Sequence, residues 1–381
     1  MKTVIIRCED RGRVVEQTAA LLAGAKTSHL QQLAQAGAVG AIRSASARAS
    51  IRRRILHSGL LGIVDIPPAH CYVAAANMSL GADDAAWCCD LVTQRDGVIE
   101  DSSGGQLPTK ESRLLIRALN ERLGTQELRW HVGEGTHHLL VAHGSRLEAD
   151  NAGSPEAPEL LVGQSWRRSL PRGSRGETLG SLIEQAAGVL EEHEVNRVRV
   201  DLGENPANLM WLWGAARGSV IKHATQPGGR TVAVISGSFF LKGLAACAGF
   251  RWIGGPESLD EAGVQSVISE LPFLVEQHDL VYVHLEVDSA DPVERLCAME
   301  RLDQLLLKPL TERLPGYGPW RLLVAVDDVT SGTIPFVAIG TGLPQQPVSH
   351  LTAQSAAASP LVFEDGAGLF QWLMNTGQPS G

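Results

Sequence analysis

The chain has 381 residues, of which 44% are hydrophobic and 20% charged, which is enough apolar material for a large core. Its length favours one large domain joined to a smaller one. A formal net charge of -9 argues against a general nucleic-acid binder, since there is no basic excess to release phosphate counterions. The six cysteines show no CxxC spacing, and no apolar stretch reaches the roughly 20 residues of a membrane span. The expectation is a cytoplasmic protein with no membrane or nucleic-acid partner, its cysteines acting as small buried hydrophobes.

In chain order, Val4-Ile-Ile6 reads as a strand running into Cys8-Glu9-Asp10. Thr27-Ser28 then starts a helix through Gln35, with Leu30, Leu33 and Ala34 on one face. Asp96-Gly97, between Leu91-Val92 and Val98-Ile99, predicts a hairpin turn. Glu111 to Leu123 is an amphipathic helix and Leu139 to Ala142 a strand, while residues 145 to 178 read as a loop excursion. A helix is expected from Leu182 to Glu192. Strands follow at Val198–Val200, Val232–Ile235, Leu280–Leu285, Leu322–Val326 and Phe336–Ile339. Asp291, Pro292 and Glu294 supply a cap, a first helical residue and a capping-box spacing for a helix with Val293, Leu296, Met299 and Leu306 facing the core. This alternation predicts an α/β fold: a core sheet with helices on both faces, made from residues 1–82 and 191–381, with a smaller α+β module inserted at 83–190.

Several apolar runs end in acidic residues. Leu280–Leu285 leads into Glu286-Val287-Asp288, and Arg321–Val326 into Asp327-Asp328. Functional groups of open α/β sheets collect beyond the carboxyl ends of strands. Two like charges about 4 Å apart cost roughly 4 kcal/mol at an effective dielectric near 20, so such a cluster requires cations. The histidines His131, His137, His138 and His143 invite comparison with a zinc cluster. Strand alternation, however, splits His137 and His138 between faces, and His138 reads as a structural histidine. Trp211 and Trp213 read as core residues. Lys242 faces either a phosphate or solvent.

Several segments are similar to the archaeal-type cofactor-independent phosphoglycerate mutases of the alkaline phosphatase superfamily. They include Asp84–Thr93 with Asp96-Gly97; His138-Leu-Leu-Val141; Ala207-Asn-Leu-Met-Trp-Leu-Trp-Gly214; Val234-Ile-Ser236 with Leu241-Lys-Gly243; and the helix from Val293 to Leu310. The resemblance implies an alkaline-phosphatase-like core. It also implies interconversion of 3-phosphoglycerate and 2-phosphoglycerate through a phosphoserine, with two divalent metals.

Set against that pattern, the chain departs at the chemistry. Where the family has Asp-Gly after the first strand, it has Glu9-Asp10, and Arg53 of the run Arg52-Arg53-Arg54 falls at the nucleophile position. Ser50 and Ser58 are the nearby substitutes. Asp288-Ser-Ala-Asp291 lacks the family histidine, Asp327-Asp328 replaces an Asp-His pair, and expected arginines fall at Cys88 and His137. Asp84, Asn208 and Lys242 are retained. The resemblance therefore implies a degenerate member with impaired or absent mutase turnover and no cofactor. Arg52, Arg53 or Arg54 would then pair with Asp288, Asp327 or Asp328 where metals once sat. Two other readings stand beside it. One is an active mutase or phosphoesterase using Mn or Mg held by Glu9, Asp10, Asp288, Asp327 and Asp328. The other is a phosphate-anion sensor that holds a small phosphorylated acid through Arg52, Arg53, Arg54 and Lys242, with Asp84, His138 and Asn208 as further anion-site candidates.

Overall fold

The computed structural model describes residues 1–10, 21–43, 56–63, 66–144, 154–218, 229–256, 258–287, 289, 291–327 and 333–376. The chain opens with β1 (Lys2–Asp10), α1 (Ser28–Ala36), β2 (Ala38–Arg43) and α2 (Pro68–Ala75). Next come β3 (Ala85–Arg95), β4 (Val98–Asp101), α3 (Thr109–Leu123), β5 (Leu128–Glu134), β6 (His137–Ala142), α4 (Ser174–Glu191), α5 (Glu194–Asp201) and β7 (Leu209–Arg217). The remainder comprises β8 (Val232–Ser236), α6 (Phe239–Ala248), β9 (Arg251–Gly254), α7 (Glu261–Gln277), β10 (Leu280–Val287), α8 (Pro292–Arg301), β11 (Trp320–Val326), β12 (Thr333–Gly340), β13 (Val362–Phe363) and α9 (Gly366–Asn375).

One sheet runs β13-β2-β12-β11-β1-β10-β8-β9, with β1 central and parallel to both β10 and β11. Alternation along β1 sorts its side chains. Val4, Ile6 and Cys8 enter a core shared with α1 and α7, whereas Ile5 packs on the opposite face with Tyr282 and residues of α6 and α9. Arg7 and Glu9 follow Ile5 on that second face, in register with His284 and Glu286 of β10. The parallel strands β1, β10 and β11 thus bring their carboxyl ends, and their acidic residues, to one edge.

A second sheet runs β4-β3-β6-β5, with β7 paired to β3. Its hairpin turn at Asp96-Gly97 has φ of 51° and 79°, the left-handed pair that a type I′ turn demands. β7, which follows residue 190, pairs with β3 of this sheet rather than joining the larger one. Residues Leu209 to Gly214 of the tryptophan-rich motif lie in that strand, and Trp211 and Trp213 are buried in its core as expected.

Other expectations require correction. Val198–Val200 lies in α5, because His193 caps that helix by accepting from Val195 N at 3.2 Å, and both valines face solvent. The helix expected to begin at Leu182 starts at Ser174. Asp291 caps α8 and Pro292 leads it, but Glu294 pairs with Arg301 rather than reaching back to the cap. Val293 is 66% exposed, so the core stripe begins one turn later with Leu296 and Met299. Thr27 makes no side-chain cap on α1. The carboxylate of Asp303 instead accepts from His29 N and Leu30 N at 3.0 and 2.7 Å.

Candidate functional site

At the shared carboxyl edge, Glu9 is buried and its Oε2 lies 3.2 Å from His57 Nε2 and 3.1 Å from His284 Nε2. The two imidazoles stand edge to face, with ring centroids 4.6 Å apart. Each ring is held from behind. His57 Nδ1 meets Tyr282 Oη at 2.6 Å, and His284 Nδ1 meets Ser236 Oγ at 3.0 Å, while Ser236 Oγ also accepts from Ser238 N. Local sequence explains the placement. Tyr282, His284 and Glu286 alternate on one face of β10, and Ser236 ends β8 beside it. Burial, then the neighbouring His284, pushes His57 down to about 3 despite the pull of Glu9, so its ring is neutral. Burial likewise raises the Tyr282 hydroxyl far above its usual range, so it stays protonated.

Two buried ion pairs flank this cluster. Arg7 donates to the carboxylate of Asp327 and, at 2.6 Å, to the carbonyl of Cys8; the other Asp327 oxygen accepts from Asp10 N at 3.2 Å. On the opposite face of the sheet, Arg295 of α8 donates to Asp10. Burial opposes the charge on Arg7, but Asp327 and Glu9 together outweigh it and hold its guanidinium above its ordinary value. Burial of Cys8, offset in part by Arg7, pushes its thiol up to about 12, so it is no nucleophile.

Glu9, His57, His284 and Glu286 border a cavity of about 370 Å³ that reaches across to His137 and Glu134 of the second sheet. On that far wall His137 Nδ1 lies 3.0 Å from both Asp90 Oδ1 and Tyr72 Oη, and Asp90 also accepts from Trp213 Nε1 at 2.8 Å. Carboxylates from Glu9, Glu134, Glu159 and Glu286 reach the lining, and among its described residues there is no lysine or arginine.

The residues singled out from sequence scatter. Glu9, Asp10 and Asp327 meet at the strand ends, whereas Ser50, Arg52, Arg53, Arg54, Asp288 and Asp328 lie outside the described residues. Among the described residues Arg7 pairs with Asp327, and the pairing expected of the arginine triplet lies outside them. Ser58 is half-buried in the turn carrying His57 and does not border the cavity. Asp84 accepts from Gly81 N and pairs with His143. Asn208 exchanges two hydrogen bonds with the Gln94 backbone, at 2.8 and 3.0 Å. His138 is buried and accepts from Gly133 N, and Lys242 lies over the Trp252 ring at 5.4 Å. None of these four borders the cavity. His131, His137, His138 and His143 form no common ligand set among the described residues: His137 meets Asp90 and Tyr72, His138 accepts from Gly133 N, and His143 pairs with Asp84.

Sequence reasoning missed His57, His284, Arg7 and Arg295. The period-2 placement of His284 two residues before Glu286 was a usable signal. His57, by contrast, reaches the site only through the path of its helical turn.

A two-metal set does not fit the described residues. Asp10 and Asp327, two of the carboxylates it would use, each bind a guanidinium, and Arg7 would be stranded if a metal took Asp327. Among the described residues, Glu9, His57 and His284 are the one group of three or more His, Cys, Asp or Glu whose ligand atoms all lie within 4.8 Å of one another.

The family profile for 2,3-bisphosphoglycerate-independent phosphoglycerate mutase matches residues 73–196. The mutase of that name from Methanosarcina mazei is 35% identical over 68% of this chain, and the chain spans 66% of that protein, just under two thirds. Its counterpart from Methanothrix thermoacetophila is 30% identical over 79% of each chain. A solved cofactor-independent phosphoglycerate mutase from Thermoplasma acidophilum superposes with a TM-score of 0.56 at 22% identity, covering 98% of this chain and 99% of that one. That likeness shows the fold, the α/β architecture expected from sequence.

Proposed function

Because the chain belongs to the 2,3-bisphosphoglycerate-independent phosphoglycerate mutase family, we propose that it is a degenerate member whose mutase turnover is strongly impaired. The observation carrying this reading is the buried Arg7–Asp327 pair at the strand ends. A divalent ion bound at Asp327 would face the guanidinium it displaced. A dication and a unit cation about 4 Å apart repel by roughly 8 kcal/mol at an effective dielectric near 20, which offsets much of what a metal–carboxylate contact would gain there. Arg295 presents the same obstacle at Asp10. An arginine at the position expected for the nucleophile compounds it, since a guanidinium stays protonated and forms no phosphoenzyme.

The phosphate-sensor reading draws no support from the described cavity wall, whose carboxylates repel an anionic phosphoester. The active-enzyme reading requires Asp10 and Asp327 to exchange guanidinium for metal.

A coupled mutase assay with 3-phosphoglycerate and added Mn tests the proposal, run beside metal analysis of the same preparation. Loss of the nucleophile alone lowers turnover by about 10⁴ to 10⁶, so a rate at or below about 10⁻⁴ of an ordinary mutase is expected. Turnover at about 1 s⁻¹ or faster, with two tightly held ions per chain, would overturn it.

A further inference from the structure

We propose that Glu9, His57 and His284 form a binding site for a single late first-row divalent cation, of which Zn²⁺ is the type, opening into the 370 Å³ cavity. This goes beyond the impaired-mutase reading and can fail without it.

The three donor atoms already lie within 4.8 Å of one another. Ligands about 2.0 to 2.1 Å from a tetrahedral ion lie about 3.3 Å from one another. The two nitrogen–oxygen separations here are 3.2 and 3.1 Å, both to the same Glu9 oxygen. A small outward relaxation of the three side chains admits an ion. The far nitrogens are engaged by Tyr282 Oη and Ser236 Oγ, the outer contact that orients ligating imidazoles and leaves Nε2 pointing at the ion.

Ligand type sets the metal. Two imidazoles and one carboxylate suit zinc, cobalt, nickel or iron(II), whereas Mg and Mn favour all-oxygen sets. Three protein ligands leave a fourth position, and all three residues border the cavity, so that position faces it. The flanking arginines do not block the ion: Arg7 and Arg295 remain paired with Asp327 and Asp10, and Glu9 supplies its own negative charge. Site and ion pairs can therefore coexist, which a metal at Asp327 could not achieve.

The full-length chain, stripped with chelator and checked for folding by circular dichroism, should be titrated with Co²⁺ and Zn²⁺. One ion per chain is expected, with cobalt giving the intense visible bands of a low-coordinate nitrogen–oxygen site. His284→Gln should abolish those bands. Tyr282→Phe, which keeps all three ligands and removes only the contact behind His57, should weaken Zn²⁺ binding by about 10- to 100-fold. If His284→Gln fails to fold, the Tyr282→Phe shift and the wild-type cobalt spectrum decide. No uptake by the folded wild type, or uptake unchanged in both variants, overturns the site while leaving the impaired-mutase reading intact. Two ions per chain with mutase turnover would overturn both.

Discussion

The guanidinium of Arg7, on the central strand of the larger sheet, donates to the carboxylate of Asp327, the residue that follows the neighbouring parallel strand β11. The two are 320 positions apart in sequence, and the Arg7 side chain is fully buried. Breaking such a pair from one side leaves an uncompensated buried charge. Arg7→Met should therefore destabilise the fold by about 3 to 5 kcal/mol in urea unfolding. Arg7→Met with Asp327→Leu should recover most of that loss, since both charges of the pair are then removed together. A double variant as unstable as the sum of its parts would show that Arg7 acts through packing alone.

That pair also marks where sequence reading stops. Strands β1, β8, β10, β11 and β12 were legible because apolar runs framed by polar residues have few alternatives. The Asp96-Gly97 turn was legible because its two left-handed residues suit few other pairs. Carboxylates at the strand ends could be anticipated for Glu9, Asp10 and Asp327, as could their need for cations. Which cations they find could not. Arg7 sits within an apolar strand and Arg295 within a helix, and nothing local distinguishes an arginine aimed at a carboxylate from one lying along the surface. Val198–Val200 misled because β-branched residues favour strands, while a cap from His193 and tertiary context placed them on an exposed helical face.

Asn208 separates a structural role from a binding one. Its side-chain amide closes two hydrogen bonds on the Gln94 backbone and does not border the cavity. Asn208→Ala should lower stability by about 1 to 3 kcal/mol, through two lost bonds and two partly buried backbone groups left wanting. Zinc or cobalt affinity should be unchanged. A variant of wild-type stability with altered ion binding would return Asn208 to the site.

His138 should give the fold an acid-sensitive limb. Burial, with His137 behind it, pushes this ring down to about 3 against the pull of Asp90, and its Nδ1 accepts from Gly133 N. The folded value lies below the ordinary histidine value of 6.5, so the unfolded chain takes the proton more readily. The stabilisation is whole above about pH 6.5 and drains as pH falls toward 3, at about 1.4 kcal/mol per pH unit for this one group. Urea unfolding at pH 7, 6, 5 and 4 should show that slope, and His138→Gln should flatten it by about one proton. Equal slopes in the two proteins would mean the ring accepts its proton without leaving the core.

Gly243 explains one segment that carried the family resemblance. A Cβ at this position of α6 would lie 1.8 Å from the carbonyl oxygen of Cys71 and 2.4 Å from its carbon, so α2 rests directly on the glycine. In an unobstructed helix, Gly→Ala stabilises by about 1 kcal/mol. Here the added methyl meets backbone, which cannot swing aside as a flexible side chain would, and forcing helices apart costs about 1 to 3 kcal/mol or more. With so short a contact the clash should win, and Gly243→Ala should destabilise by about 2 kcal/mol. The shift should also reach the cavity, because α2 carries Tyr72, whose hydroxyl holds His137 on the far wall. The His137 ring resonances should therefore move in the NMR spectrum of the variant. A stabilised variant with unmoved His137 signals would mean that α2 and α6 part more easily than their packing suggests.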